Sequence, residues 1–178
     1  MTDVARIQSP QASSAPEEQR SAAAGSRTPR WPAFVGLFLC VLGFGVASYL
    51  TYEHYTSSTS LSCPAGGGAI NCLKVTTSSY SMIHGVPVAL LGVIFFVVMA
   101  ALQSPAAWRS QIPLVRTGRV VWSVVGVATA MWLIYAELFR IDAICLWCTI
   151  VHFLTILVFF ATIFATLATS MEPGTDFD

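Results

Sequence analysis

Four long apolar runs limit what this chain can fold into. They cover about residues 31–52, 86–102, 117–138 and 145–169. A helix needs roughly 20 residues to cross about 30 Å of hydrocarbon, and each run reaches or approaches that length. Each run is apolar around its whole circumference, which is typical of helices that pack together in lipid. The pattern predicts an all-α membrane protein that is a four-transmembrane-helix bundle.

The composition agrees with a lipid environment. Of the residues, 55% are hydrophobic and 10% are charged, whereas a soluble domain carries roughly 25% charged residues. The formal net charge of zero gives no indication of a nucleic-acid partner. Residues 1–30 are rich in Ser, Ala, Pro and Gln, so they and residues 171–178 are predicted to be disordered tails. The bundle itself is predicted to occupy residues 31–170.

The basic residues predict the orientation of this bundle. Lys74 and Arg140 lie on one side of the four runs. The other seven of the nine basic residues lie on the opposite side: Arg6, Arg20, Arg27, Arg30, Arg109, Arg116 and Arg119. By the positive-inside rule, both tails are therefore cytoplasmic. The loop after the first run and the start of the fourth run then face an oxidising space, as in a bacterial inner (plasma) membrane protein.

Two pairs of cysteines lie on that predicted outer side. Cys63 and Cys72 flank three glycines, residues 66–68, in the long polar loop, while Cys145 and Cys148 open the fourth run as a Cys-x-x-Cys motif. Such a motif at a helix start can form a disulfide across one turn, and the helix N-terminus favours the thiolate. The glycines permit the loop to move its pair toward Cys145, or alternatively they only close a tight turn. The arrangement favours a thiol–disulfide relay.

Two other uses of four thiols stay open at this point. A zinc site is one, although zinc thiolates are unusual on an oxidising surface and the Cys63–Cys72 spacing is wide for a ligand pair. Static disulfides in a non-enzymatic four-helix scaffold are the other. Against them, a Cys-x-x-Cys bridge removes little entropy from the unfolded chain. Cys40 lies in the middle of the first run and is interpreted as a small hydrophobic residue.

Polar groups inside the runs and in the outer loop are candidates for binding a ligand. His152 lies four residues beyond Cys148, on the same helix face and one turn deeper. An ionisable residue within a span is a functional candidate, and a neutral imidazole there can donate to a quinone carbonyl. The alternative is a core histidine bonded to a backbone carbonyl or a water. Residues 73–82 are predicted to form a short amphipathic helix over the bundle, with hydroxyl groups at its mouth: Ser78, Ser79, Tyr80 and Ser81.

Taken together, these residues resemble the bacterial branch of the vitamin K epoxide reductase family. The resemblance covers about residues 31–169. It is carried by the cysteine pair that follows the first span, by Asn71-Cys72 and the stretch from Ser78 to Pro87, and by the run from Cys145 to His152. The DsbB quinone reductases place their Cys-x-x-Cys motif in the first outer loop, and that order does not match this chain.

The resemblance implies a role for each cysteine. Cys63 and Cys72 match the family's shuttle pair. Cys145 and Cys148 match the active-site pair, with Cys148 closest to the quinone, and a transient disulfide joins Cys72 to Cys145. The implied activity is thiol oxidation coupled to reduction of a quinone of the menaquinone, ubiquinone or vitamin K type, with no metal. The implied partner is a separate thioredoxin-fold protein of the DsbA type, because this sequence contains no fused thioredoxin-like domain.

The resemblance also implies quinone contacts. Ser78 matches a serine of the family's capping segment, and Tyr80 lies beside it. His152 falls where bacterial-type members commonly have a histidine that contacts the quinone. Ser81 falls near a position where vertebrate members use asparagine. That departure favours simple quinone reduction over the alternative on the same scaffold, which is reduction of vitamin K epoxide.

Overall fold

A computed structural model describes residues 31–56, 69–110 and 112–170 of the chain. Cys63, the three glycines of its loop and both predicted tails lie outside the described residues. The order of the described elements matches the order of the apolar runs.

Four long helices lie side by side in the described part of the chain. They are α1 (Trp31–Thr56), α3 (Val88–Gln103), α5 (Pro113–Tyr135) and α6 (Leu146–Ser170). Two short helices, α2 (Cys72–Thr76) and α4 (Pro105–Arg109), lie in the connections. The predicted all-α bundle is confirmed, with α1 in contact with α3 and α6, and α5 also in contact with α6.

Three segments of the described chain are long and apolar enough to cross a membrane: Ala33–Thr56, Pro113–Ile141 and Leu146–Ala168. Large apolar side chains on the outside of the bundle are strongly exposed, which suits a surface that faces lipid; examples are Phe38 (62%), Phe160 (61%) and Phe164 (63%). Helix α3 has 16 residues and is therefore about 24 Å long. It falls short of the length that defines a span, so the predicted fourth crossing stays a prediction.

The segment that covers the outer end of the bundle differs from its prediction. Helix α2 begins where the side chain of Asn71 accepts a hydrogen bond from the backbone N–H of Lys74 at 3.0 Å, and it ends at Thr76. A 3₁₀ turn (Ser79–Ser81) follows. The predicted single helix over residues 73–82 is therefore wrong in its extent. Hydroxyl groups here bond to nearby carbonyl oxygens, as Ser78 Oγ does to Val75 O at 2.7 Å, and such bonds compete with continued helix.

A two-stranded antiparallel hairpin separates this segment from α3. Strands β1 (Met82–Ile83) and β2 (Val86–Pro87) are joined by His84 and Gly85. Both turn residues have positive φ angles, 50° and 82°, as a tight two-residue hairpin turn requires. Pro87 then stands immediately before α3, so this helix begins slightly later than the apolar run predicts.

The core of the bundle lies between α1, α3 and α6. It is formed by six buried residues: Cys40, Ala47, Phe96, Met99, Leu154 and Val158. Cys40 is a free, fully buried thiol in this cluster, in agreement with its interpretation as a small hydrophobic residue. Helices α1 and α3 approach closely at Gly43, where a Cβ atom would overlap the ring of Phe96.

A satisfied polar cluster closes the end of the bundle that carries Arg119. The Gln103 side chain donates to Thr162 Oγ1 at 2.6 Å and accepts from Trp108 Nε1 at 3.1 Å. Arg119 Nε donates to Leu102 O at 2.9 Å, and its guanidinium carbon lies 3.7 Å from the centre of the Trp108 ring. Buried polar groups stabilise a fold only when they are paired, and these are paired across α3, α4, α5 and α6.

The contact between α1 and α3 makes a prediction about stability. Gly43→Ala should destabilise the bundle by about 1–3 kcal/mol, because the new methyl group overlaps the buried ring of Phe96. Gly45→Ala is the matched control in the same helix, since nothing lies within 4 Å of its Cβ position. The thermal unfolding midpoint of each variant in detergent measures the effect. Equal midpoints for the two variants would contradict the close packing.

Candidate active site

The first turn of α6 places the two cysteines of the Cys-x-x-Cys motif. Cys145 stands immediately before the helix, and its Sγ accepts a hydrogen bond from the backbone N–H of Cys148 at 3.3 Å. The carbonyl of Cys145 accepts from both the backbone N–H and the Oγ1 of Thr149, each at 2.9 Å. Cys145 therefore caps the helix with its own sulfur, a position in which negative charge is favoured.

Both cysteines of the motif are free thiols, and their sulfur atoms are 2.6 Å apart. The Cys148 thiol donates to Cys145 Sγ, and this hydrogen bond lowers the pKa of Cys145 below its ordinary value. Burial and the nearby carboxyl group of Glu137 act on that pKa in the opposite direction. The thiolate of the reduced pair is thus favoured on Cys145, and the pair can close to a disulfide with little movement.

The segment that carries Cys72 is held against the segment that carries Cys145. Ile70 and Ile144 form a parallel bridge, in which Asn71 N–H donates to Ile144 O at 3.1 Å and Ile144 N–H donates to Ala69 O at 2.9 Å. Cys72 is disulfide-bonded.

Cys72 and Cys145 lie in the same buried cluster with Val75 and Ala143, and neither is more than 1% exposed. The structure thus brings together two predicted site residues that are separated by more than 70 positions in the sequence.

A cavity of about 370 Å³ lies beneath this cluster, within the bundle. Its volume falls in the range of small-molecule sites, and its lining is mostly apolar. The lining includes five of the predicted site residues: Cys148, His152, Ser78, Tyr80 and Ser81. Cys148 therefore lines the cavity and also contacts Cys145, which belongs to the same buried cluster as Cys72.

His152 carries an unpaired polar atom at this cavity. The side chain is 6% exposed, and its Nδ1 has no hydrogen-bond partner among the described residues. A buried nitrogen without a partner is unfavourable by about 1–3 kcal/mol. The oxygen atom of a ligand in the cavity would satisfy it, which is the pairing expected of a binding residue.

The three predicted hydroxyl groups are already engaged with the protein. Ser78 Oγ donates to Val75 O at 2.7 Å, and Ser81 Oγ donates to Ser78 O at 2.8 Å. Tyr80 Oη accepts from Arg140 Nε at 2.8 Å. The two serines therefore present oxygen lone pairs to a ligand, and donation from either would require the hydroxyl to rotate away from its carbonyl.

Glu137 lies beside the motif and is absent from the predicted site residues. Its carboxyl group is 5% exposed, and Oε2 accepts a hydrogen bond from the backbone N–H of Cys145 at 3.2 Å. It stands in a π-helical segment (Ala136–Ile141) that ends α5, and it also lines the cavity. The signal that singles out His152, an ionisable residue inside an apolar run, applies equally to Glu137 within residues 117–138.

The described residues include no group of three or more His, Cys, Asp or Glu side chains arranged to hold a metal ion. Cys72 is disulfide-bonded, so it offers no thiolate to a metal in this state.

Comparison with known proteins agrees with the resemblance described for the sequence. The sequence model of the vitamin K epoxide reductase family matches residues 34–163. Over 123 residues the chain is 28% identical to the thiol-disulfide oxidoreductase LTO1 of Arabidopsis thaliana, a match that covers 65% of this chain and 32% of that protein. The chain thus spans about a third of the length of the curated relative it matches.

The hydrogen bond between the two thiols makes a prediction about Cys145. Cys148→Ala removes the donor, so the pKa of Cys145 should rise and its thiolate should form at higher pH than in the reduced wild-type protein. Ultraviolet thiolate absorbance followed through a pH titration measures this, with Cys40→Ala, which lies elsewhere in the core, as control. An unchanged or lower ionisation midpoint in the Cys148 variant would rule out this hydrogen bond as the cause.

Proposed function

The chain belongs to the vitamin K epoxide reductase family, and from this premise we propose that it oxidises thiols of an extracytoplasmic thioredoxin-fold protein and passes the electrons to a membrane quinone. One observation carries the proposal. Cys148 and the unpartnered Nδ1 of His152 belong to residues that line one cavity, while Cys145 belongs to the same buried cluster as Cys72. The motif therefore lies between a disulfide-bearing segment and a site fit for a ring-shaped acceptor.

The electrons travel by thiol–disulfide exchange. The partner's dithiol reduces the disulfide between Cys63 and Cys72. The Cys72 thiolate then attacks Cys145 in the oxidised motif, which releases Cys148 as a thiolate. Attack of Cys63 on Cys72 restores the first disulfide and releases Cys145. Each exchange forms one S–S bond and breaks one, and the two electrons end on the Cys145–Cys148 pair.

The cavity residues fit a quinone head group of the menaquinone, ubiquinone or vitamin K type. When bound, such a quinone accepts two electrons and two protons. His152 would hold a ring oxygen through its unpaired nitrogen, and Cys148 would supply the nearest sulfur. Ser78, Tyr80 and Ser81 would border the head group on the side of the outer segment. The apolar remainder of the lining would exclude water from the reacting groups.

The proposed topology has four crossings, with both tails in the cytoplasm of a bacterial cell and the cysteines on the oxidising side. The seven basic residues at the tail side support this orientation. Helix α3 would be the fourth crossing although it is about 24 Å long. It packs tightly on α1 through Phe96, and a bilayer adjusts to a mismatch of a few Å at modest cost.

A static disulfide scaffold is less well supported by the same geometry. Permanently paired cysteines give no reason for a cavity that is lined by both Cys148 and a histidine with an unpaired nitrogen, His152. Reduction of vitamin K epoxide on this scaffold would use the same cysteines. The two activities are therefore distinguished by assaying the protein with each acceptor in turn.

The role of Cys148 makes a direct prediction. The purified chain, given a reduced thioredoxin-fold protein of the DsbA type and a short-tailed quinone, should convert the quinone to quinol, as followed by quinone absorbance. Cys148→Ala should abolish this conversion, because the variant cannot form the oxidised motif. The lone Cys145 thiolate should instead attack the Cys63–Cys72 disulfide and release Cys63, so the disulfide that links Cys72 to Cys145 should accumulate.

Cys40→Ala is the matched cysteine control and should retain wild-type turnover, because Cys40 lies in the core away from the cavity. Quinone reduction that survives both Cys145→Ala and Cys148→Ala would refute the relay. Vitamin K epoxide in place of the quinone tests the other activity in the same preparation.

The unpaired nitrogen of His152 makes a second prediction. His152→Phe keeps a ring of similar volume but removes both nitrogens, so kcat/KM for the quinone should fall about tenfold through loss of one hydrogen bond. Phe153→Leu is the matched control, because the neighbouring Phe153 side chain is 59% exposed on the outside of the bundle. Steady-state kinetics across quinone concentrations measure both variants. Equal losses in the two would show that His152 has no specific contact with the quinone.

A further inference from the structure

Among the described residues that line the cavity, Glu137 carries the one buried carboxyl group. The relay proposed above does not use it. We propose that Glu137 is a positioning residue for Cys145 and holds one of the two protons that leave the reduced cysteine pair. The inference rests on the proposed quinone reduction, because that reaction consumes two protons.

The positioning part follows from the hydrogen bond at the start of α6. Glu137 Oε2 accepts from the backbone N–H of Cys145 at 3.2 Å, and this N–H lies outside the helix. The backbone of Glu137 is fixed in turn, since its carbonyl oxygen accepts from Ala143 N–H at 3.2 Å. The wide π-helical turn therefore holds the carboxyl group against the residue that opens the motif.

The proton-holding part follows from charge. Glu137 is 5% exposed, and no lysine, arginine or histidine of the described residues forms an ion pair with it. Arg140, on the same turn, donates instead to Tyr80. A buried carboxylate without a partner is costly, and a second negative charge beside it is costlier still.

The groups that face Glu137 are therefore few. Its carboxyl group interacts electrostatically with both thiols of α6, Cys145 and Cys148. His152 of α6 and His54 of α1 line the same cavity. The Cys145 thiolate and the Glu137 carboxylate repel each other, so the site favours a single negative charge. When Cys145 is a thiolate, the Glu137 carboxyl group is therefore the one that holds a proton.

With a single negative charge at the site, the protons released on oxidation equal the two that quinone reduction consumes. The reduced site holds the Cys145 thiolate, the Cys148 thiol and the protonated Glu137 carboxyl group. Oxidation forms the Cys145–Cys148 bond and releases two electrons and two protons, one proton from Cys148 and one from Glu137. Both electrons and both protons go to the quinone, and the negative charge moves from the Cys145 sulfur to the Glu137 carboxylate. The net charge of the buried site stays at −1 throughout.

Infrared difference spectroscopy of the full chain tests the proton directly, without quinone. Reduction of the motif with dithiothreitol should add the carbonyl stretch of a protonated carboxylic acid to the spectrum, and oxidation should remove it. Glu137→Gln should lack this band, because its amide can still accept the Cys145 N–H but cannot hold the proton. Ser123→Ala in the same helix is the control and should keep the band, since Ser123 bonds only to its own helix at Val120 O.

Turnover of the same proteins separates the possible failures. Glu137→Gln should lower quinone reduction about tenfold or more and flatten its pH profile, as loss of a proton-transfer group does, while Ser123→Ala should match wild type. A wild-type spectrum without the band, or one that Glu137→Gln leaves unchanged, overturns the proton role even if turnover falls. A wild-type chain that shows the band but reduces no quinone overturns the proposed function and leaves the placement of the proton intact.

Discussion

The backbone pairing of Ile70 with Ile144 is the contact on which the arrangement of the cysteines depends. Two hydrogen bonds, from Asn71 N–H and from Ile144 N–H, join a segment that follows α1 to the segment that precedes α6. Without them, nothing in the apolar packing of α1 and α6 would fix the height of Cys72 relative to Cys145. Because the pairing is between backbones, it constrains both segments whatever their side chains. Cys72 and Cys145 are brought together because each follows closely after one of the paired residues.

The two ends of the bundle treat their buried polar groups in opposite ways. At one end, Gln103 and Thr162 bond to each other, and Arg119 is engaged by a carbonyl and an aromatic ring. At the other, His152 has an unpaired nitrogen and Glu137 has a single hydrogen bond from a backbone N–H. A low-dielectric interior makes unpaired groups costly, so a fold retains them where a ligand or a proton completes them. Under the proposed function the cysteine end is the reactive end, while the paired groups at the arginine end join the helices.

Features that follow from apolar runs and helical spacing were predictable from the sequence, and features that depend on irregular backbone were not. The bundle, the motif at the start of α6 and the face shared by Cys148 and His152 follow from runs and helical spacing. The hairpin of Met82–Pro87 was not predicted, because it needs a left-handed residue at His84 that no pattern required. Glu137 could have been singled out as an ionisable residue within an apolar run, but its contact with Cys145 could not, because it depends on a π-helical turn that an ordinary α-helical period does not predict.

The position of Cys145 just before α6 supports the different roles that the proposed relay gives to the two thiols of the motif. A helix N-terminus by itself favours the thiolate without choosing between Cys145 and Cys148. The choice comes from Cys145 standing before the first turn, where its sulfur receives the N–H and the thiol of Cys148. A thiol with a lowered pKa is the better leaving group in exchange. Under the proposed relay, Cys145 is the sulfur that must leave when the disulfide with Cys72 is resolved, and Cys148, deeper in the bundle, is the one that must face the acceptor.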